Sequence, residues 1–309
     1  LAYIGRPALE LNTLRPRPNF VPSFKRGLSM SPLLTVARAG GEAVTAREAT
    51  RLFLRELLAE AKAVTGTRIR ELVVTAPVDV FETYRAEVAA IARSLGVRKL
   101  RFLDEPVAAA LGYGLGLEGE RHVLVADFGG GTFHVALVRF GADNMREGRC
   151  TVLAKSGRDM GGNLVDRWVL EELSRRLDLV LPKATTEDDL SWERLLLADA
   201  CRVKEAVYFR ESATFEPVLP DDRRRFEARA HGGPTSVDFT RQDLTDLLSA
   251  RGLYRELESC VEDVLATAAQ QGLDQGRIDD VLLVGGSTLL PGVYPAFEKR
   301  FGRGRVRAW

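Results

Sequence analysis

Cysteine is scarce in this chain of 309 residues. Cys150, Cys201 and Cys260 lie far apart and show no metal-type spacing, so a disulfide scaffold is excluded. They read as reduced thiols of a cytoplasmic protein. Histidine is equally sparse. His122 stands at a strand entrance and His231 in a Gly-Pro loop, and neither has a partner at ligand-pair spacing. An excess of one charge is also missing. Lys and Arg number 44 against 43 Asp and Glu, a formal net charge of +1. That balance argues against a nucleic-acid footprint and against a charged tail. Short basic clusters, Arg223-Arg-Arg225 and the arginines near Arg303, read as solvated loops. No apolar run reaches membrane-spanning length, so no membrane partner is expected. No signal-peptide pattern is present. Because the chain starts at Leu1 rather than Met, the natural N-terminus is expected upstream.

What the chain does contain is an alternation of strand and helix patterns, long enough for two domains. Residues 1–43, rich in Pro, Arg and Gly, carry little assignable pattern. Thr45-Ala-Arg-Glu48 is a capping box. It opens a helix with Leu52, Phe53, Leu57, Ala61 and Val64 on its buried side, closed by Gly66. Leu72-Val-Val-Thr-Ala-Pro77 reads as a buried strand. Tyr84, Val88, Ile91 and Leu95 mark a helix that Gly96 stops. A strand near 100–103 leads to Asp104-Glu-Pro and a small-residue helix over 107–114. Further strands are expected near 151–155, 213–218, 225–230 and 236–239. Gly161-Gly162 precede a helix carrying Leu164, Val165, Trp168, Val169 and Leu173, and a long helix covers 190–209. Phe239-Thr-Arg-Gln-Asp243 starts another long helix. Asp280-Val-Leu-Leu-Val-Gly-Gly-Ser-Thr288 is a strand running into a glycine turn, and a helix over 293–301 follows. The pattern predicts α/β layers and a largely parallel sheet. The two strands 72–77 and 281–286, each ending in a turn before a helix, form a loose internal repeat.

The run Asp127-Phe-Gly-Gly-Gly-Thr-Phe-His134 carries the most chemistry. Apolar strands flank it on both sides, so it is not a Rossmann or Walker loop, which opens a helix. The Walker Lys-Ser/Thr pair is missing too. The expectation is a β-hairpin whose tip is bare backbone, where amide N–H groups can approach an anion. Asp127, at the end of the incoming strand, can orient a metal-bound water. The same residues also suit a plain glycine hairpin with a surface acid.

Four motifs in order carry a family resemblance: Val74-Thr-Ala-Pro77, Asp104-Glu-Pro-Val-Ala-Ala-Ala-Leu-Gly-Tyr-Gly114, Asp127-Phe-Gly-Gly-Gly-Thr-Phe133 and Leu283-Val-Gly-Gly-Ser-Thr-Leu-Leu-Pro291. Together they resemble the nucleotide-binding domain of the DnaK-type heat-shock chaperones, within the actin-like ATPase superfamily. The resemblance implies an α/β, two-lobe, ribonuclease H-like fold that is incomplete at both ends. Residues 1–117 would be a partial first lobe. Residues 118–309 would be the second lobe, with a smaller subdomain at about 167–239.

It also implies ATP or ADP with Mg²⁺ in a cleft. Gly129, Gly130, Gly131 and Thr132 would cradle the β- and γ-phosphates, with the Thr132 hydroxyl near the γ-phosphate. Asp127 and Glu105 would hold Mg²⁺ through water, and with Thr132 they form the expected catalytic set. Gly285, Gly286 and Ser287 would form the adenosine turn. Lys204 would lie near the ribose, and Gly161 and Gly162 would approach the nucleotide from the other side. Glu105 also fits a plain helix-start carboxylate, Lys204 a solvated helix lysine, and Gly161-Gly162 a simple helix-start turn.

Four departures from the family pattern stand out. His134 replaces an acid, which is expected to weaken the outer metal shell. Leu289 replaces an arginine that packs on adenine. Cys201 replaces a glutamate, and Glu205 stands where a basic residue is usual. The first phosphate hairpin and its lysine are not found in residues 1–43. The implied function is a chaperone-type ATPase domain that couples nucleotide state to lobe closure, with weakened hydrolysis and no turnover as this fragment. Unfolded polypeptides and co-chaperones are the implied partners. Two alternatives stay open: a non-hydrolysing nucleotide-binding scaffold and a polymerising actin-like cytoskeletal protein.

Overall fold

The computed structural model describes residues 2–14, 19–21, 24, 27–28, 31–39, 41–76, 82–114, 119–141, 149–181, 187–217 and 235–308. The chain divides into two compact units. One is Leu1–Ala108 with Glu147–Arg149, the other Ala109–Arg146 with Cys150–Trp309.

The first unit begins with α1 (Gly5–Leu14) and an antiparallel pair, β1 (Thr35–Ala39) and β2 (Glu42–Thr45). Helix α2 (Ala46–Thr65) follows without a break. The Thr45 hydroxyl accepts from the Glu48 N–H, which is half of the expected capping box. Glu48 itself pairs with Arg51 at 2.7 Å, one helical turn on. The buried stripe of α2 is Ala46, Ala49, Thr50 and Leu54. Val64 is 87% exposed, so the apolar face is shorter than its periodicity predicts. Strands β3 (Glu71–Ala76) and β4 (Lys99–Asp104) pair in parallel, with α3 (Glu82–Ser94) between them in sequence. Strand β3 was expected to be buried, but it alternates and leaves Val73 61% exposed. Pro77 lies outside the described residues. The core here gathers Leu28, Ala46, Ala76, Tyr84 and Val88. Helix α4 (Glu105–Gly112) opens with Glu105 and Pro106, an acid and a proline in the first turn, as helix starts favour.

The second unit is built on a five-stranded sheet of β5 (Arg121–Phe128), β6 (Phe133–Phe140), β7 (Thr151–Arg158), β10 (Asp280–Val284) and β11 (Val306–Arg307), in the order β11-β10-β5-β6-β7. The expected largely parallel sheet is corrected to a mixed one. β10 runs parallel to β5 and β11, whereas β5, β6 and β7 form an antiparallel meander. The reason is local: four residues join β5 to β6, too few for the crossover that a parallel pair needs. Asp280, buried at the start of β10, pairs with Arg121 at 3.2 Å and Arg307 at 3.0 Å, tying the three strands together.

One face of this sheet supplies Leu124, Ala126, Phe128, Phe133, Val135, Leu137 and Leu283 to a continuous core. Helix α8 (Leu253–Gln270) packs on β6 and β7. Helices α5 (Gly162–Arg176) and α6 (Glu187–Phe209) pack on each other and join that core through Val169, Leu173, Ala200 and Val203. β8 (Ser212–Phe215) and β9 (Val237–Thr240) form a separate antiparallel pair. The expected strand at 225–230 falls outside the described residues. The long helix expected after Asp243 is two helices, α7 (Arg241–Ala250) and α8. They part at Gly252, whose φ of 76° no continuous helix allows. Thr240 and Asp243 form a complete capping box at the start of α7. Helix α9 (Val293–Phe301) closes the unit with Phe297 and Phe301 in the core.

Candidate functional site

The antiparallel register of β5 and β6 runs to Phe128 opposite Phe133. Both rings are fully buried and meet edge-on at 5.1 Å. They anchor a tip of residues 129–132, closed by a bond from the Gly129 N–H to the Thr132 carbonyl at 3.0 Å. Gly130 and Gly131 are exposed, and Thr132 and Asp127 half-buried.

Two elements brace the tip. From one side the start of α5 donates the Gly162 N–H to the Gly129 carbonyl at 3.0 Å and the Asn163 N–H to the Gly130 carbonyl at 2.8 Å. Gly161 precedes them in an extended conformation, and a Cβ there would lie 2.4 Å from the Gly130 oxygen. From the other side comes the turn after β10. Gly285 has a φ of 91°, and its Cβ would lie 2.4 Å from the Phe128 oxygen and 3.0 Å from the Asp127 carboxylate. The Ser287 hydroxyl donates to the Gly129 carbonyl at 2.9 Å. Among the described residues Gly286 makes no close approach of this kind.

These braces orient the tip. Its carbonyls at Gly129 and Gly130 turn toward protein donors. Among the described residues, the N–H groups of Gly130, Gly131 and Thr132 meet no protein acceptor. Three adjacent amide donors on an exposed turn make a concavity that suits an anion.

Asp127 stands at the base of the tip, in register with Val284 on one side and His134 on the other. The His134 ring lies across Gly157, its neighbour on β7, where a Cβ would come within 2.3 Å of it. Glu105 opens α4 in the first compact unit and is placed only within that unit. Among the described residues no group of three or more His, Cys, Asp or Glu could hold a metal ion.

Lys204 reaches the same cluster from α6. Its ammonium would lie 3.6 Å from a Cβ at Gly162, a point that the Ser287 hydroxyl also approaches. Lys204 is 4% exposed, so it is not a solvated helix lysine. It pairs with Asp166 of α5 at 2.6 Å and stands 5.9 Å from the centre of the Tyr208 ring. Among the described residues Asp166 Oδ1 makes no hydrogen bond, so the contact is one of charge. Cys201, one turn earlier, contacts Glu205 through sulfur at 3.6 Å. Burial first, then the negative charge of Asp166, pushes its thiol up to about 12, with Lys204 opposing. Burial and the same acids raise Tyr208 as well.

The structure thus gathers Asp127, Gly129, Gly130, Gly131, Thr132, Gly161, Gly162, Lys204, Gly285 and Ser287 in one neighbourhood. The sequence reading missed Asp166, Tyr208 and Asn163. Asp166 had one available signal: it is an acid between Val165 and Val169 on the buried face of α5. Also missed was Tyr113, whose hydroxyl donates to the Leu283 carbonyl at 2.5 Å and steadies the strand that leads into the Gly285 turn.

Against known proteins, the model of the Hsp70 protein family matches residues 17–308. The chain is also similar to the chaperone protein DnaK from two strains of Thermus thermophilus. Identity is 31% over 272 residues in each case, covering 85% of this chain and 41% of each relative. The chain therefore spans about two fifths of the length of these curated relatives.

Proposed function

This chain belongs to the Hsp70 family, and from that premise we propose that it binds ATP and ADP at the 129–132 tip and hydrolyses ATP slowly. The single observation that carries the proposal is the set of three N–H groups at Gly130, Gly131 and Thr132 without protein acceptors among the described residues. A tip held by protein at its carbonyls and open at its amides is preorganised for phosphate oxygens.

In this reading the tip amides hold the β- and γ-phosphates, and the Thr132 hydroxyl donates to a γ-phosphate oxygen. Asp127 accepts a hydrogen bond from the attacking water and aligns it with the phosphorus. The chemistry then rests on positioning and charge, as phosphoryl transfer does generally. The donor set fits Mg²⁺, which prefers one or two carboxylates plus phosphate oxygens and water to an all-protein cage. Asp127 would hold it through water, and Mg²⁺ would neutralise phosphate charge. Residues 1–117 would act as one lobe and 118–309 as the other, with residues about 167–239 as a smaller subdomain. Their closure would follow nucleotide state. Unfolded polypeptides and co-chaperones are the proposed partners of the intact protein.

One observation favours a second reading, a nucleotide-binding scaffold without hydrolysis. Lys204, the cation nearest Gly162 among the described residues, is already neutralised by Asp166. Phosphate-release assays with the intact protein separate the two. Steady release that Asp127→Asn abolishes, with ATP affinity kept within about tenfold, supports the ATPase. Calorimetric binding without release supports the scaffold. Absence of ATP binding refutes both.

A further inference from the structure

We propose that Tyr113 is a positioning residue for ATP turnover: its hydroxyl fixes the end of β10, and through it the Gly285 turn that seats Asp127. This role rests on the reading of Asp127 as the group that aligns the attacking water.

The chain enters the second unit within α4, and Tyr113 directly follows that helix. Its N–H still bonds to the Ala109 carbonyl at 2.9 Å, and the chain turns away at Gly114, with a φ of 64°. The half-buried ring is thereby carried to β10, where the hydroxyl donates to the Leu283 carbonyl at 2.5 Å. The Val281 N–H donates to the Arg305 carbonyl at 2.8 Å, so Val281 turns its backbone groups to the β11 edge. Backbone groups alternate between the two edges of a strand, and Leu283, two residues on, faces the same way. The register of β11 stops at Leu282 opposite Arg307. Among the described residues, the Tyr113 hydroxyl takes over on that edge from the strand.

On the other edge Val284 is in register with Asp127. Gly285 comes next, and a Cβ there would lie 2.4 Å from the Phe128 oxygen and 3.0 Å from the Asp127 carboxylate. Contact this close leaves no slack, so a shift at Leu283 passes to Asp127. The tip is buffered against the same shift. Helix α5 holds the Gly129 and Gly130 carbonyls on its own, through the N–H groups of Gly162 and Asn163. Loss of the Tyr113 hydroxyl should therefore cost turnover and spare affinity.

Tyr113→Phe in the intact protein removes the hydroxyl and keeps the ring. The control is Tyr254→Phe, which removes a similar bond, hydroxyl to Pro291 carbonyl at 2.8 Å, beyond the far end of the turn. For Tyr113→Phe, kcat with ATP should fall about tenfold or more, since a misplacement of about 1 Å can cost on the order of 10²-fold. KM should stay within about threefold. For Tyr254→Phe both constants should stay within about twofold. Amide hydrogen exchange in the ligand-free protein is the second readout. Residues 284–288 should exchange about tenfold faster in Tyr113→Phe, and residues 123–125 of β5 at the wild-type rate. Unchanged exchange at 284–288 overturns the inference, because the bond then holds nothing. Faster exchange with wild-type kcat overturns the positioning role and leaves a structural one. Equal losses of kcat in the two variants overturn it likewise. Wild-type protein that turns over no ATP refutes the catalytic reading itself, and this inference falls with it whatever the exchange shows.

Discussion

Replacing Gly161 by alanine tests the tip directly. The new Cβ would lie 2.4 Å from the Gly130 oxygen, 2.5 Å from the Gly130 carbonyl carbon and 2.6 Å from the Gly131 nitrogen. All three are backbone atoms, so no side chain can swing away. Carbon normally keeps about 3.5 Å from such neighbours, and the tip must retreat by about 1 Å. Backbone strain adds nothing, because φ of −153° and ψ of −176° suit alanine as well as glycine. Overpacking of this kind costs about 1–3 kcal/mol of stability. The retreat also displaces the Gly130 and Gly131 amides from the phosphates. A misplacement of about 1 Å can cost on the order of 10²-fold in a positioned reaction, and a loss of that order is expected in ATP turnover.

Gly131→Ala is the control. Nothing lies within 4 Å of its Cβ among the described residues, and its φ is outside the left-handed region. That variant should keep its stability within about 0.5 kcal/mol, yet bind ATP more weakly because the methyl adds bulk on the tip whose amides are proposed to hold phosphate. Scanning calorimetry and ATP titration read both effects. Wild-type melting and affinity in Gly161→Ala would refute the contact argument. A Gly131→Ala protein that melts early with normal affinity would refute the assignment of the free amides.

Three further outcomes are expected. Lys204→Met should destabilise by about 3–5 kcal/mol because it leaves Asp166 buried and unpaired, and adding Asp166→Asn should recover much of that in urea titrations; additive losses would show that the pair is not coupled. Asp243 is held down to about 2, chiefly by its bond to Arg176, and Glu172 to about 2, chiefly by Arg175 and also by Arg176; since both folded values lie below the unfolded ones, their stabilisation is full above about pH 5 and lost as pH falls toward 2. Asp243→Asn should accordingly cost about 1 kcal/mol at neutral pH, through the cap of α7 and the Arg176 pair, with the deficit shrinking in acid; a deficit unchanged down to pH 3 by circular dichroism would count against this. His134→Asp should alter the Mg²⁺ dependence of ATP binding little, since the ring lies over Gly157; a large gain in that dependence would place His134 at the metal instead.

Much of the second unit was legible because its signals are local. The capping pair Thr240 and Asp243, the apolar β5 and β6 and the Gly161-Gly162 helix start each act within a few residues. What escaped depends on distant partners. Val64 has helical periodicity, yet among the described residues nothing covers that end of α2, and it stays exposed. Val73 lies in an apolar run, but its pair of strands leaves that face open. Lys204 reads as a helix lysine like any other until Asp166, on another helix, is brought to 2.6 Å.

Glycine shows the same division most sharply, because one residue type serves three physical needs at this site. Gly285 has a φ of 91° and abuts the Phe128 backbone, so both conformation and space require it. Gly161 has an ordinary extended backbone and is required for space alone. Gly131 is required by neither among the described residues. A motif match weighs all three alike. Only the first two are explained by the fold, and a chain selected for folding alone could replace the third. The glycine at 131 is therefore one that speaks for a ligand. It carries one of the three amides left without a protein acceptor, and an approaching phosphate meets bare backbone there. Folding accounts for the braces of the tip, and the proposed phosphate binding would account for its open side.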